Sequence, residues 1–449
     1  MTLAVVALFL AAVVVLGLRG ARERAGLTDY VLAGRALTLP SFVATLVPTF
    51  YGSALGIGES TWRYGLANWT ILALPYYVFA AVYAFFLAGR VRLQPGMTIA
   101  DHLENAYGRE TAIAGALLVF VLALPADDIL MAGVLLSHLA GLTLAAGTAL
   151  AAILALVVLW RGGLPSDVSA NRLQIALMFG GFACVIPAAL RALPLSHLRA
   201  ALPPDHASWT GGLSPARVVV WWLIAVWTIV DPGFHQRCAA AESPATARRG
   251  ILISIVLWAL YDLMTTSMGL YARALQPSLA EPLLSFPALA DRLLGPLARG
   301  LFYAGLASSL TAALQGHALL SSISLGKDAF GRLTGAEGAR LRAAARWTLP
   351  VVLAGAWLLG RALPSVVGLW YAIGSAVIPG LLLPLLGVYF PRLRVGGGRA
   401  LAASLAGFGA AVLWIAGRAL HWPLWDLEPM FPGLAACALV WLFPIGARA

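Results

Sequence analysis

Residues 33–69 read AGRALTLPSFVATLVPTFYGSALGIGESTWRYGLANW, apolar enough to enter a membrane yet carrying Pro48, Gly52, Gly56 and Gly58 within eleven residues. Proline removes a backbone donor and glycine frees the dihedrals, so no regular helix is expected to run through unbroken. In a bilayer, backbone that leaves its helix is tolerated only where protein or a watery cavity surrounds it. In membrane transporters such breaks hold the cargo and the coupling ion.

The rest of the chain agrees with a bilayer. It is 61% hydrophobic and 11% charged, with a mean hydropathy of +0.86, and apolar runs of about 20 residues recur throughout. The predicted class is an all-α polytopic membrane protein. Of thirty basic residues, twenty-nine are Arg spread over short loops, so the net charge of +11 reads as topology and not as nucleic-acid binding. Cys184, Cys238 and Cys437 are scattered in or near apolar segments and imply neither a disulfide framework nor a metal site.

About thirteen spans are predicted: 3–18, 38–62, 69–89, 111–140, 143–160, 173–193, 215–236, 250–272, 297–326, 347–362, 365–390, 399–417 and 428–446. The first has no basic residue before it, while Arg19, Arg22 and Arg24 follow, the reverse of a signal peptide. It reads as a retained helix with its N-terminus outside. With that orientation Arg63, Arg191, Arg199, Arg217, Arg273, Arg292, Arg299, Arg361 and Arg418 fall outside. The other twenty-one basic residues, Arg448 among them, fall inside. The asymmetry favours this orientation over its inverse, and the expected location is the cell inner (plasma) membrane, crossed many times. The whole of 1–449 reads as one transmembrane domain: a leading helix in 1–25, a ten-helix core in 36–390 and two trailing helices in 395–449.

Counting core helices from the broken one, helix 6 carries a second polar interruption, Trp227-Thr-Ile-Val-Asp231-Pro-Gly-Phe-His-Gln-Arg237. Helices 1 and 6 are five spans apart and therefore run in opposite directions. Matched breaks in opposed halves point to an inverted repeat. The plainer alternative makes Asp231-Pro-Gly the cytoplasmic loop before Arg237.

Several motifs resemble the sodium:solute symporter family. Tyr30-Val-Leu-Ala-Gly-Arg35 with Leu39-Pro40 is similar to the family's approach to core helix 1, and Gly56 to Tyr64-x-Gly to its first broken helix. Gly162-Gly163 and then Leu173-Gln174 resemble the start of its core helix 5. Asp231 to Arg237 with Ala239-Ala240 resembles the exit of core helix 6, and LLSSISLGKD at 319–328 the tail of core helix 8. The motifs fall in the family's order over residues 28–390. The resemblance implies a leucine-transporter-like 5+5 inverted repeat, with one helix before it and two after. It also implies secondary transport of a small solute.

The resemblance further implies a sodium site made of helix 1 carbonyls, here Val47 and Phe50, and two hydroxyls on core helix 8. The family spacing back from Asp328 lands on Ala312 and Ala313, which have no side-chain oxygen. The family's Asp in core helix 5 reads Asn171 here. A dehydrated hard cation needs oxygen ligands, so the site is expected to be degraded. Ser308 and Ser309, roughly 6 Å away along the helix, reach it only in a shifted register.

Core helix 3 carries adjacent carboxylates in mid-span, Asp127 and Asp128 after Pro125. An ionised Asp at the bilayer centre costs about 2.5–3.5 kcal/mol on insertion scales, so it faces a cavity or a partner. Neighbours on a helix point about 100° apart, which leaves one of the two open to a structural role. Close carboxylates repel and burial disfavours charge, the conditions a proton carrier uses. Asp127 or Asp128 is thus expected to bind a proton or a cationic solute; the bland alternative is a cap or pair with a neighbouring helix.

Tyr51 and Ser53 in the first break, and Trp227, Asp231 and Phe234 around the second, are expected at the solute. Tyr371 and Ser375 on core helix 10 are candidate gate residues, Tyr371 also a solute contact. Asp262, Gln315 and His317 are intramembrane polar groups with structural roles at least as plausible. Glu59 and Arg63 have the i,i+4 spacing of a simple ion pair.

The expected function is alternating-access transport of a small polar solute, with sodium, protons or no ion as the coupling partner. No cofactor and no nucleic acid is implied; the partners are the solute and the bilayer. The competing class is a membrane-embedded solute sensor. The sequence stops at Ala449 straight after its last apolar run, which favours transport. No H-E-x-x-H, G-x-S-x-G or P-loop supports an enzyme.

Overall fold

A computed structural model describes residues 1–20, 26–363, 365–422 and 427–443. Arg22, Arg24, Arg448 and the end of the last predicted span, 444–446, lie outside the described residues. The protein is an all-α polytopic membrane protein. Among the described residues eleven helices are long and apolar enough to cross a bilayer, and a bent pair counted as one span makes a twelfth. The thirteenth predicted run appears as a 13-residue apolar helix.

We label helices in chain order. Helix α1 is Thr2–Gly20. The first broken span is α2, Leu39–Phe50, and α3, Ala54–Tyr64. Next come α4, Leu74–Phe86, and the amphipathic α5, Ile99–Tyr107, followed by α6, Arg109–Leu122, α7, Ala126–Ala140, and α8, Leu144–Gly162. Helix α9 is Leu164–Ala183. Pro215–Ile224, Trp227–Val230 and Pro232–Ala240 are α10, α11 and α12, and Pro244–Leu275 is α13. Helix α14 is Pro296–Ile323. The remainder are α15, Ala339–Ala362, α16, Val366–Tyr389, α17, Gly397–Ala419, and α18, Met430–Leu442.

The first interruption is where the prolines and glycines place it. Helices α2 and α3 meet at 53° across Tyr51–Ser53. A Cβ on Gly52 would stand 1.8 Å from the Ala313 methyl of α14, so only glycine permits this approach. Asp231, with ψ of 118°, ends α11, and its Oδ1 accepts the Phe234 N–H at 2.9 Å as the N-cap of α12. Every residue of α12 is buried. Asp-Pro-Gly is therefore a helix start within the bundle and not a surface loop.

The predicted span 111–140 stands as one candidate crossing, Arg109–Ala140, but its helix is interrupted at Ala123–Pro125, where Ala126 N–H bonds back to the Leu124 carbonyl at 2.8 Å. Pro125 has no N–H to continue α6 and disfavours helical geometry at Leu124. The break leaves Asp127 and Asp128 in the first turn of α7, where the helix dipole favours negative charge. The span expected at 173–193 starts instead at Leu164, since Asp167, Asn171 and Arg172, which look like loop residues, lie on a helix. Asp167 and Asn171 are fully buried.

Helix α14 runs through the middle of the bundle and packs on α1, α2, α7, α9 and α15. Small residues let it do so: a Cβ on Gly305 would meet the Leu177 carbonyl at 2.5 Å and the Gly181 Cα at 3.0 Å. Close backbone approach supplies packing that the hydrophobic effect does not supply between helices in lipid.

Two features tie one end of the bundle. Leu37, just before α2, pairs in parallel with the strand-like exit of α12: its N–H bonds Ala240 O, and its carbonyl accepts from Glu242 N–H, both at 3.0 Å. Beyond α14, through the wider turn of Ser324–Phe330, lies a charge cluster. Lys327 Nζ sits 2.7 Å from Asp101 Oδ1 and 2.6 Å from Asp328 Oδ1. Arg332 Nη2 sits 2.7 Å from both Asp101 Oδ1 and Glu104 Oε2, and its Nη1 is 3.2 Å from Asp328 Oδ1. Asp101 also closes a capping box with Thr98 at the start of α5. Burial pulls the Asp101 carboxyl upward, but Lys327, the Met97 N–H and Arg332 outweigh it and hold it well below the usual carboxylate range.

Candidate functional site

The interruptions of α2/α3, α6/α7 and α11/α12 border one cavity, with about 1040 Å³ of empty space counting its open mouth. Tyr51, Gly52 and Ser53 reach it from the first break, Asp127 and Asp128 from the second, and Trp227 and Asp231 from the third. Helix α13 adds Trp258 and Asp262, α14 adds His317, and α16 adds Trp370 and Ile373.

Each carboxylate is fixed differently. Asp128 Oδ2 lies 2.6 Å from His317 Nδ1. Asp127 Oδ2 accepts the Trp370 indole N–H at 2.6 Å. Asp262 accepts from the hydroxyls of Tyr51 and Tyr77, and Tyr51 also meets Thr265 Oγ1 at 2.9 Å. Asp231 is spent on capping α12. The aromatic wall is held as firmly. Trp258 Nε1 donates to the Val47 carbonyl at 3.2 Å, and Trp370 packs where a Cβ on Gly56 would stand, 2.5 Å from its ring.

Of the residues singled out in the sequence, Phe50, Tyr51, Ser53, Asp127, Asp128, Trp227, Asp231, Asp262 and His317 line the cavity. Phe234 lies behind it, its ring 5.1 Å from that of Phe50. Tyr371 is not among the lining residues; the adjacent Trp370 is. Ser375 is buried in α16, and Gln315 lines a separate apolar cavity beside α1. Glu59 and Arg63 form their i,i+4 ion pair at 3.0 Å.

Around the expected cation site, Ala312 and Ala313 are fully buried and Ala313 meets the α2/α3 break. The Ser308 hydroxyl donates to Ala304 O at 2.6 Å and that of Ser309 to Leu306 O at 3.3 Å, both within α14. Nearby, a fully buried Arg237 bonds Asp167 Oδ2 and Thr49 Oγ1 at 3.2 Å and Thr45 Oγ1 at 3.3 Å, tying α12 to α9 and α2.

Sequence reasoning missed Tyr76, Tyr77, Trp258 and Trp370. An aromatic in a membrane helix carries no sign of whether it packs, anchors or lines a cavity. The signal for Trp370 was its neighbour: Tyr371 was the right turn of α16 at the wrong phase. Asp167 was missed because its stretch was read as a loop.

Interrupted helices bordering a cavity inside a helical bundle are the arrangement that secondary transporters use. The family model described as the sodium:solute symporter family matches residues 30–407, and the chain belongs to that family. Among solved structures, a Na⁺-coupled sialic acid symporter in a substrate-bound outward-open state is similar at 13% identity and TM-score 0.81, covering 98% of this chain and 96% of that one. MHP1, a nucleobase-cation-symport-1 family transporter in a closed conformation, matches at 12% identity and TM-score 0.61, with 94% of each chain covered. A manganese transporter from Eremococcus coleocola matches at 13% and 0.53, covering 93% and 96%. A sequence search of curated proteins gives no match. The fold is leucine-transporter-like, and the protein is a secondary transporter working by alternating access, not an enzyme.

Proposed function

We propose that the protein carries a small polar solute across the plasma membrane without needing sodium. The ten-helix core is a 5+5 inverted repeat, with α1 before it and α17 and α18 after it, and the N-terminus is outside. The solute sits in the cavity against Tyr51, Ser53, Asp127 and Trp227.

One observation carries the sodium-free reading. On α14 the Ala313 methyl meets the α2/α3 break, its neighbour Ala312 is fully buried and equally without a side-chain oxygen, and the carbonyl of Val47 already accepts an indole N–H. A dehydrated Na⁺ placed there would lack the oxygen ligands that offset its lost water. The back-bonded hydroxyls of Ser308 and Ser309 support the same reading. Coupling then falls to protons on the cavity acids, with Asp128 and its partner His317 as the exchanging pair, or is absent.

A ligand screen by thermal shift, run in sodium and again in potassium, tests this. A ligand that prefers the folded state raises the melting temperature. Hits are expected to give the same shift in both salts, and uptake of a hit into proteoliposomes should proceed in potassium alone. Ligand shifts or uptake that rise steeply with sodium would overturn the reading.

A further inference from the structure

We propose that the cargo is a small organic cation, an ammonium or guanidinium on an apolar body, held by Asp127 and Asp262 within the aromatic wall. This rests on the cavity being the solute site, as above, and is independent of the ion that drives transport.

The charge inventory leads there. Of the four lining carboxylates, Asp128 has His317 and Asp231 caps a helix. Asp127 and Asp262 receive only neutral donors, an indole N–H and two phenols, and among the described residues neither forms an ion pair. No basic side chain other than His317 lines the cavity. A buried carboxylate without a cationic partner is costly in its charged form. An anionic cargo would add repulsion, and a neutral one would leave both acids to be neutralised by bound protons. A cationic cargo supplies the missing charge.

The walls decide which kind of cation. Among the described residues no three His, Cys, Asp or Glu side chains converge as metal ligands. A metal ion could not gather enough oxygens from them. An organic cation needs fewer: one or two carboxylates, with attraction to aromatic rings for the remainder of its surface. Trp258 and Trp370 are held in place by their own indole hydrogen bonds, and Tyr51 and Tyr77 by Asp262, so this wall is formed before cargo arrives. A preformed wall spares the ordering cost of binding.

The test uses three probes of one size on the full-length protein at neutral pH: benzylammonium, benzyl alcohol and benzoate. Saturable thermal shift and proteoliposome uptake are read for each. Benzylammonium is expected to stabilise the protein at a half-saturating concentration at least tenfold below that of benzyl alcohol, with no effect of benzoate. Asp127→Asn and Asp262→Asn, each keeping an acceptor for its neutral donors, should raise that concentration at least tenfold. Absence of a benzylammonium shift, equal shifts by the alcohol or benzoate, or unchanged affinity in both folded variants overturns the proposal. If a variant does not fold, the wild-type series decides alone. Sodium-dependent uptake of benzylammonium would sink the sodium-free reading and leave the cation standing; sodium-free uptake of benzyl alcohol alone would do the reverse.

Discussion

The cavity and the charge cluster beyond α14 are built from the same kind of side chain and end up opposite in character. The cluster sets Asp101, Glu104 and Asp328 against Lys327 and Arg332, and every acid has a cation within 3.2 Å. The cavity sets four carboxylates against His317 alone. Paired charges close a network and fix helices to one another. Unpaired charges, kept in place by neutral donors, leave a demand that something outside the chain must meet. On the proposal above, the difference separates a clamp from a binding site without appeal to where either lies in the sequence.

The sharpest way to break this contrast is to remove one charge from each region. Lys327→Met leaves Asp101 and Asp328 buried beside a lost ammonium, and should cost about 3–5 kcal/mol, seen as a large fall in melting temperature. Asp127→Asn removes a carboxylate with no cationic partner and should change stability by less than about 1 kcal/mol, in either direction. Equal losses would mean that both regions are structural. A pH series sharpens the clamp half. The folded Asp101 carboxyl lies below its unfolded value, so its stabilisation is present above the unfolded value and is lost only as acid reaches the folded one. The advantage in melting temperature over Asp101→Asn should therefore persist down to about pH 4 and fall only in stronger acid. An advantage that vanished between about pH 6 and 5 would contradict it. The smallest effect belongs to a third arrangement, the partly exposed Glu59–Arg63 pair. Glu59→Gln should cost less than about 1 kcal/mol and nothing measurable in high salt.

Much of the fold was legible because hydropathy and helix breakers act locally. Pro48 with its glycines, and Asp231-Pro-Gly, interrupt helices wherever they stand. Asp127, Asp128 and Asp262 were legible for a related reason: a carboxylate in an apolar run is too costly to be incidental. What stayed hidden depends on neighbours distant in sequence. Asp167 is affordable inside α9 only because Arg237, 70 residues on, lies against it. Trp258 and Trp370 become cavity wall only because Val47 and Asp127 turn their rings. Pro125 was visible, but a proline in a membrane helix can bend it or break it, and here the restriction on Leu124 broke it.

The pairing of Leu37 with Ala240 and Glu242 couples the approach to α2 with the departure from α12. Neither of these half-helices can swing alone without stripping two backbone hydrogen bonds from this joint. The two should travel as one lever about Gly52 and Asp231, so opening to one side of the membrane is a single stroke, and a cross-link that stiffened either arm would stall both.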